Sequence, residues 1–430
     1  MAIVARVRFR RLLVDITPLK ESPAFRRLWA GGGLSAIGGQ MTNYAVVLQV
    51  FLLTHSTLAV GLVGAVIAVP SIFVALVAGA VIDASDRRRT VLLGTSVQVL
   101  LSAVLAVQAF AEFNHVSLLY CLVGLQAVVG AVSAPARRTF MPTLLAPDQL
   151  PAGAALQMFT MHGSLTVGPA LAGVITAAFG LKVCYLVDAL SFGFSLYGVA
   201  RLPSMRPVAT GTGRGPRAVA EGLRFVLHRR VVLGAFAADM SATFLGMPFA
   251  LFPAINAERF GGRAETLGLL TTAIAVGGII GSALSGPVSR VSRQGLGMLV
   301  AGSVWGAGLI AFGFAHAFWL AFLSLTLAGT GDVTAVVLRT ALVQGVTPNR
   351  LRGRVSAAEF AVGAGVPQLG NFRAGAVASV TSPTISVVGG GVATVAGAVL
   401  VGAFIPALVT FRSGSPPSGQ DAEAQSFGGP

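Results

Sequence analysis

The sequence predicts an all-α polytopic membrane protein whose chain crosses the bilayer twelve times. Hydrophobic residues make up 54% of the 430 residues and charged residues only 10%, whereas soluble domains carry about a quarter charged residues. The charged residues separate apolar runs of about twenty residues, which is the length that a helix needs to cross a bilayer. The 54 glycines fit this class, because glycine is more frequent in membrane helices than in soluble ones. A β-barrel would instead need strands that alternate apolar and polar residues.

The apolar runs form two groups of six predicted spans, separated by a polar segment rich in Gly, Pro and Arg. We therefore divide the chain into a cytoplasmic N-terminal segment (1–23), a first bundle (24–202), a cytoplasmic central loop (203–230), a second bundle (231–410) and a tail (411–430) whose composition predicts disorder. In chain order, the predicted spans are 24–53, 58–82, 90–111, 116–139, 151–179, 183–202, 231–257, 266–288, 296–315, 318–344, 355–380 and 384–410.

The positions of Lys and Arg predict the orientation of the chain. With the N-terminus inside, all 30 basic residues fall on the cytoplasmic side except Lys182, Arg259, Arg263 and Arg373. Basic residues accumulate in cytoplasmic loops, so both termini and the central loop are predicted to lie in the cytoplasm of a bacterium, with the bundle in its plasma membrane. The net charge of +15 is spread over many loops. It therefore indicates membrane topology rather than a nucleic-acid partner.

Several site classes have no signature in this chain. Both cysteines, Cys121 and Cys184, fall inside apolar runs, so neither a disulfide nor a metal site is predicted. The sequence contains no Walker A motif and no HExxH motif. We expect a protein that is not an enzyme and uses no cofactor or ATP. The opening MAIVARVRFRRLLVDI is basic and amphipathic, without the cleavage site of a signal peptide.

The two groups of spans resemble each other. ARRTFMPTLLAPDQL (136–150) aligns with VLRTALVQGVTPNRL (337–351), which pairs Arg138 with Arg339 and Pro147 with Pro348. GAVIDASDRRR (79–89) aligns with GPVSRVSRQGL, which begins at Gly286. Two matches at corresponding turns with similar offsets predict a duplication of a six-span unit.

GAVIDASDRRR resembles the signature loop between the second and third helices of major facilitator superfamily transporters. Four further segments are similar to the bacterial branch that contains siderophore exporters and macrolide-efflux proteins: SPAFRRLWAGGGLS (22–35), THSTLAVGLVGA (54–65), LFPAINAERFGG (251–262) and VTPNRLRGRVSA (346–357). The resemblance implies the major facilitator fold, with 12 transmembrane helices in two six-helix bundles. It also implies alternating access to a substrate site between the bundles. We expect a monomer in the lipid bilayer that binds a small-molecule substrate and protons.

In the superfamily the signature loop is a cytoplasmic latch, and the resemblance implies a gate built from Gly79, Asp83, Asp86, Arg87, Arg88, Gly286 and Arg290. Ala84 and Asp86 depart from the usual pattern, and the second copy has Arg290 where the first has Asp83. The latch is therefore predicted to be stronger on the first half. Alternatively, the arginines at 87–89 only anchor the orientation of the chain.

The fifth predicted span contains GSLTVGPALAG (163–173), which resembles an antiporter-associated motif. The resemblance implies that Gly168, Pro169 and Gly173 pack this helix against the second half. The alternative is ordinary packing by small residues, which let membrane helices approach closely.

Ionisable residues within the spans are the sharpest candidates for coupling to protons, because each is costly unless paired or hydrated. Asp239, Asp332 and His162 are predicted to carry protons, and desolvation favours the neutral form of such groups. The alternative is a static buried pair. Asp188 and Glu359 also fall in spans; we interpret the first as structural and the second as the partner of a nearby arginine.

Three polar residues of the first span, Gln40, Asn43 and Tyr44, share one side of the helix and are predicted to face a central cavity. Arg138 ends the fourth span, where the superfamily often has an arginine implicated in proton transfer; an orientation anchor is the alternative. The leading prediction is a proton-coupled exporter of a siderophore or related metabolite. Efflux of hydrophobic drugs or macrolide-type antibiotics is the alternative, followed by a membrane sensor or scaffold.

Overall fold

A computed structural model describes residues 15–83, 86–202 and 216–412. Within these ranges the side chains of 75–83, 216–220, 289, 349–350, 357–358, 360–362 and 364 lie outside the description. The described residues form helices and no strand. The long helices are α1 (Pro23–Thr54), α2 (Thr57–Asp83), α3 (Arg87–Phe110), α4 (Val116–Arg138), α5 (Leu150–Phe179), α6 (Leu181–Ala200), α7 (Arg230–Gly246), α8 (Ala264–Ala283), α9 (Gln294–Phe314), α10 (Phe318–Val346), α11 (Asn349–Val380) and α12 (Pro383–Phe404).

Shorter helices connect or extend the long ones: Thr17–Glu21, Phe140–Leu144, Pro216–His228, Phe252–Arg259, Ser285–Ser289 and Pro406–Thr410, with 3-10 turns at Pro147–Gln149 and Phe249–Leu251. Eleven of the described helices are long and apolar enough to cross a membrane. The exception is α11, whose first turns carry Arg352, Arg354 and Glu359. Each predicted span nevertheless coincides with a long helix.

The seventh predicted span is broken in the structure. The helix α7 ends at Gly246 and the chain continues as a 3-10 turn and the helix Phe252–Arg259, because Pro248 has no N–H and disfavours helical geometry at the residue before it. The guanidinium of Arg373 in α11 donates to the freed carbonyl oxygens of Phe244 (3.1 Å) and Leu245 (2.5 Å). This contact explains an arginine that the sequence places inside a span.

Local signals fix several helix ends. The Ser22 and Ser382 side chains accept hydrogen bonds from the N–H groups of Phe25 (3.2 Å) and Ile385 (3.1 Å), and a proline follows each serine. A capping hydroxyl followed by proline at the first helical position is a strong start signal. Gly180, with φ of 82°, ends α5 in a conformation that favours glycine.

The buried apolar residues divide the bundle into two ends. We call the end that contains His55, Gly180 and Gly262 the outer end, and the opposite end, which contains Arg88 and Arg352, the basic end. At the outer end a single apolar cluster joins both halves; it includes Tyr44, Leu105, Tyr185, Phe252, Ile255 and Phe312. At the basic end the clusters belong to one half each: Leu28, Val91 and Phe140, and also Phe25 and Leu156, in the first half; Val232, Phe236 and Leu342 in the second. Among the described side chains, the halves therefore share an apolar cluster only at the outer end, and at the basic end the helix Pro216–His228 contacts α2.

The two halves meet along α2 with α11 and α5 with α8. A Cβ atom added at Gly375 would lie 2.3 Å from the Thr57 carbonyl oxygen, and one at Gly268 would lie 2.6 Å from the Pro169 carbonyl oxygen. Backbones at such separations tolerate only glycine, as in other close crossings of membrane helices. Both contacts lie in the outer half of the bundle.

The second part of the predicted central loop, 216–228, is a helix. Val226 is buried, and Gly222 lies against the backbone of Arg354 in α11, where an added Cβ would be 2.3 Å from the carbonyl oxygen. Glu221 forms an ion pair with Arg354. This helix therefore covers part of the basic end of the second half. Residues 203–215 and the predicted tail after 412 lie outside the described residues.

Candidate functional site

The interior of the second half contains three carboxyl groups around one guanidinium. Asp239 of α7 forms an ion pair with Arg339 of α10, and only 13% and 14% of the two side chains are exposed. Asp332 of α10 and Glu359 of α11 interact electrostatically with this pair. We call these four residues the acid–arginine cluster. With every group ionised it would carry an excess of negative charge inside the bundle, which is costly in a medium of low polarity. The cluster can therefore hold a proton.

The sequence of α10 explains how Asp332 and Arg339 reach the same interior. The two residues are seven apart, or about two turns, so they share one face of the helix. Gly329 and Gly331, on either side of Thr330, allow α10 to lie against its neighbours. Added Cβ atoms there would be 2.0 Å from the Ile274 carbonyl oxygen and 2.7 Å from that of Ala301.

A small cavity borders the two aspartates. Its walls come from α7, α9, α10 and α12 and include Asp239, Gly302, Trp305, Asp332 and Thr394. The cavity volume is about 20 Å³, which holds about one water molecule. The Arg339 Nε and the Glu359 Oε1 are buried without a hydrogen-bond partner. The cluster thus keeps unused donor and acceptor capacity in a nearly dry interior.

The first half has a buried acid in a different environment. Asp188 of α6 is fully buried, and its Oδ2 accepts hydrogen bonds from the hydroxyls of Thr42 (2.8 Å) and Ser102 (2.7 Å). The Ser102 Oγ in turn accepts from the Nε2 of Gln126 (3.1 Å). The Asp188 Oδ1 is buried and has no hydrogen-bond partner. Sequence reasoning treated Asp188 as structural; polar residues inside the first, third and fourth spans were the signal that it has a polar environment.

Arg137, rather than its neighbour Arg138, is the buried arginine at the end of α4. Its guanidinium donates to the hydroxyls of Ser195 (3.3 Å) and Thr95 (3.0 Å) in the first half. Arg138, which the repeat aligns with Arg339, is exposed. The helical rotation between adjacent residues decides which one turns inward, and the sequence repeat does not resolve a shift of one residue. A role of Arg138 in proton transfer stays a prediction.

The three polar residues of α1 have different surroundings. Tyr44 is buried, and its hydroxyl donates to the Ala264 carbonyl oxygen at the start of α8 (2.6 Å), so it joins the halves at the outer end. The Cβ of Gln40 lies against Gly168 of α5. Asn43 is exposed, and an added Cβ at Gly39, one turn away, would meet no atom within 4 Å. The open face of α1 is thus the one that carries Asn43.

The predicted packing motif of α5 contacts both halves. An added Cβ at Gly173 would lie 2.9 Å from the Ala264 carbonyl oxygen of α8, whereas one at Gly168 would lie 2.5 Å from Gln40 of α1. Pro169 is on the α8 side, next to Gly268. His162 is seven residues before Pro169, so it lies on the same face of the helix, two turns nearer the basic end. His162 is half-buried.

The predicted gate lies at the basic end. Gly79 and Asp83 lie in the part of α2, residues 75–83, whose side chains are outside the description. Asp86 caps α3: its Oδ1 accepts from the N–H groups of Arg88 (2.9 Å) and Arg89 (3.4 Å). The Arg88 guanidinium donates to the Ala200 carbonyl oxygen at the end of α6 (2.7 Å). These bonds stay within the first half. Arg87 is half-buried, and Gly286 and Arg290 are exposed.

Comparisons with known proteins agree with the resemblance inferred from the sequence. The profile of the transmembrane secretion effector family matches residues 14–414. The enterobactin exporter EntS of Shigella boydii serotype 18 is 26% identical over 80% of this chain and 82% of its own length. EntS of Escherichia coli O81 matches to the same extent.

Solved structures share the fold. A bacterial homologue of the iron transporter ferroportin in an inward-facing state has a TM-score of 0.67, with 16% identity over 90% of this chain and 99% of that chain. The nucleoside transporter NupG has a TM-score of 0.67, with 11% identity and the same coverage. A transporter of the POT family also has a TM-score of 0.67, with 12% identity over 90% of this chain and 96% of that chain. At these identities the likeness concerns the architecture alone.

Proposed function

Because the chain belongs to the transmembrane secretion effector family and has the major facilitator fold, we propose that it exports a small organic molecule in exchange for protons. Membership of the family makes it a multi-pass membrane transporter, and its relatives are transporters rather than enzymes. The coupling ion, the substrate and the orientation are the parts that we propose.

The acid–arginine cluster carries the proposal of proton coupling. Arg339 pairs with Asp239, and Asp332 and Glu359 interact with this pair through their charges. The cavity beside the two aspartates holds about one water molecule. If Arg339 changes partner during the transport cycle, the acid it leaves must take up a proton or become hydrated, because an unpaired charge is costly there. Movement of one guanidinium between acids thus links conformation to protonation.

We propose that the basic end faces the cytoplasm. The positive-inside preference supports this orientation, since the arginines at 87–89, 137–138, 229–230, 290 and 293 lie at that end. We propose that this conformation is open to the cytoplasm, where an exporter loads its substrate, because no apolar cluster of the described side chains joins the halves at the basic end. Asn43 is exposed and His162 is half-buried.

For the substrate we propose a catecholate siderophore or a related metabolite. The similarity to enterobactin exporters extends over four-fifths of the chain. We propose that the half-buried imidazole of His162 and the exposed amide of Asn43 contact a ligand that carries several hydroxyl and amide groups.

Efflux of hydrophobic drugs is a second candidate, favoured by the basic-end turns of α5. Met158, Phe159 and Met161 are 54%, 62% and 56% exposed there. Methionine side chains are flexible and polarisable, and surfaces rich in them accommodate apolar ligands of different shapes. A macrolide such as erythromycin tests this candidate.

The test uses everted membrane vesicles from a strain without its own exporters, energised by respiration and monitored with a fluorescent pH-gradient probe. Enterobactin is expected to dissipate the gradient in vesicles that contain the wild-type chain. We expect Asp239→Asn and Asp332→Asn to abolish this response at equal membrane content, and Asp148→Asn, at an exposed acid of the first half, to leave it unchanged.

Three outcomes discriminate between the candidates. A response to erythromycin alone would assign the protein to drug efflux. Substrate uptake that persists with unchanged pH dependence in both aspartate variants would refute coupling through the cluster. Absence of any response to either compound would refute both proposed substrates.

A further inference from the structure

Asp188 has no place in the coupling mechanism above, yet it is the most completely buried acid of the described residues, with 0% exposure. It lies on α6, seven residues from the outer end of that helix, and contacts α1 and α3 through the hydroxyls of Thr42 and Ser102. In the described part of the chain, no Lys, Arg or His forms an ion pair with it. The carboxyl group is thus surrounded by neutral partners.

The hydrogen bonds are unevenly distributed over the two oxygens. Both hydroxyls donate to Oδ2, while Oδ1 is buried without a partner. A carboxylate would place about half its charge on this buried oxygen without a donor, where an uncompensated charge is costly. A neutral carboxyl group with its proton on Oδ1 and its carbonyl oxygen at Oδ2 matches the observed donors.

The backbone of α1 lies close to Oδ1. A Cβ added at Gly38 of α1 would lie 2.8 Å from Oδ1 and 2.3 Å from the Ser191 Oγ. The backbone of α1 therefore covers this oxygen closely. An oxygen-coordinated cation needs several ligands and a space of its own, whereas a proton needs neither.

The other polar groups near Asp188 are neutral or lie about two turns away from it. The Tyr185 hydroxyl, one turn away, donates to the Oε1 of Gln49 (2.7 Å). The Arg137 guanidinium is bonded to Ser195 and Thr95, two turns towards the basic end. The described titratable and charged groups that face this region are Cys184 and Tyr185 of α6, Tyr44 of α1 and Arg137 of α4; α3 presents Ser102 and α5 presents Thr176, which contacts Cys184.

We infer that Asp188 is a proton-binding site of the first half, occupied by a proton in this conformation and independent of the acid–arginine cluster. Ser102 and Gln126 continue the hydrogen bonds from Asp188 to α4, where Gln126 is half-buried. Only the use of this proton-binding site in transport rests on the proposed function. The binding itself does not depend on any substrate.

Infrared difference spectroscopy tests the inference on the full chain in lipid nanodiscs, with spectra recorded at a series of pH values and without substrate. The wild type is expected to show the carbonyl stretching band of a protonated carboxylic acid in a dry environment. We expect Asp188→Asn to remove this band. The double variant Asp239→Asn with Asp332→Asn should retain it, as should Asp148→Asn at an exposed acid.

A second variant keeps the test decisive if Asp188→Asn does not fold. Ser102→Ala removes one donor to Oδ2 and should shift the frequency of the band without abolishing it; a carboxylate would show no such band at all. A spectrum that Asp188→Asn and Ser102→Ala both leave unchanged would overturn the inference. Since no substrate is used, a silent export assay alongside a band at Asp188 would refute only the proposed function.

Discussion

The outer end and the basic end of the bundle are built from the same twelve helices but differ in how the two halves relate. At the outer end, one apolar cluster contains residues of both halves, and the Tyr44 hydroxyl and the Thr57 hydroxyl donate across the boundary to carbonyl oxygens of Ala264 (2.6 Å) and Gly375 (3.1 Å). At the basic end, each half has separate clusters. The Asp86 and Arg88 bonds there stay within the first half.

The difference indicates where the cost of a conformational change lies. To open the outer end, the protein must break the apolar cluster that both halves share and the close helix contacts at glycines. To close the basic end, it must bring together two surfaces, each of which already packs on an apolar cluster of its own half. Close-packed interfaces switch between discrete arrangements rather than deforming continuously. We expect the halves to move as two bodies in the proposed transport cycle.

The largest expected effect comes from breaking the ion pair inside the second half. Arg339→Gln leaves Asp239 without its cation, and loss of one partner of a buried pair costs about 3–5 kcal/mol. The unfolding midpoint of the detergent-purified chain should fall strongly. Arg293→Gln, at an exposed position of the same half, should change the free energy of unfolding by less than about 0.5 kcal/mol. Equal effects of the two changes would contradict the assignment of Arg339 as the buried partner.

A substitution at the outer joint should separate the halves. A methyl group at Gly268 would lie 2.6 Å from the Pro169 carbonyl oxygen and 3.1 Å from the Gly173 Cα, so Gly268→Ala should disfavour the closed outer end by about 1–3 kcal/mol. Spin labels at Phe179 and Arg263, both exposed near the joint, are expected to show a longer distance between them than in the wild type by double electron–electron resonance. Gly163→Ala, where nothing lies within 4 Å, is the control and should give the wild-type distribution.

A smaller effect is expected from a single hydrogen bond across the joint. Tyr44→Phe removes the donor to the Ala264 carbonyl oxygen, which is worth about 1 kcal/mol and hence shifts the ratio of closed to open outer ends about fivefold. The same pair of spin labels measures this ratio. If the distribution stayed as in the wild type, Tyr44 would only pack at the joint without holding it closed.

The smallest expected effect concerns the basic end of the first half. Asp86→Ala removes the cap of α3 and should lower the free energy of unfolding by about 0.5–1 kcal/mol, whereas Asp86→Asn keeps a capping oxygen and should behave like the wild type. The unfolding midpoints of the two variants provide the measurement. A loss of the same size in Asp86→Asn would show that the charge matters, as in the predicted gate, rather than the cap.

The sequence identified most residues of the candidate site but not which of them interact with each other. Asp239 and Asp332 are conspicuous as acids in apolar runs, and Arg339 follows from the repeat. Glu359 was assigned to a nearby arginine of its own helix, whereas Arg354 pairs with Glu221 and Glu359 faces the cluster. Which residues of other helices a side chain contacts depends on the rotation of its helix and on its position along the helix axis. A repeat alignment does not fix these to within one residue, as Arg137 and Arg138 illustrate.

The sequence by itself determined the membrane class, the twelve helices and the division into two similar halves. These properties follow from local composition, because a bilayer requires apolar runs of a given length and every backbone group to be bonded within its helix. Only the tertiary structure decided that α7 breaks at Pro248 with Arg373 at the freed carbonyls, and that Asp188 sits among hydroxyls without a cation. It also decided that the halves join at one end. Such features depend on which helix faces lie against each other, and packing between distant parts of the chain sets those faces.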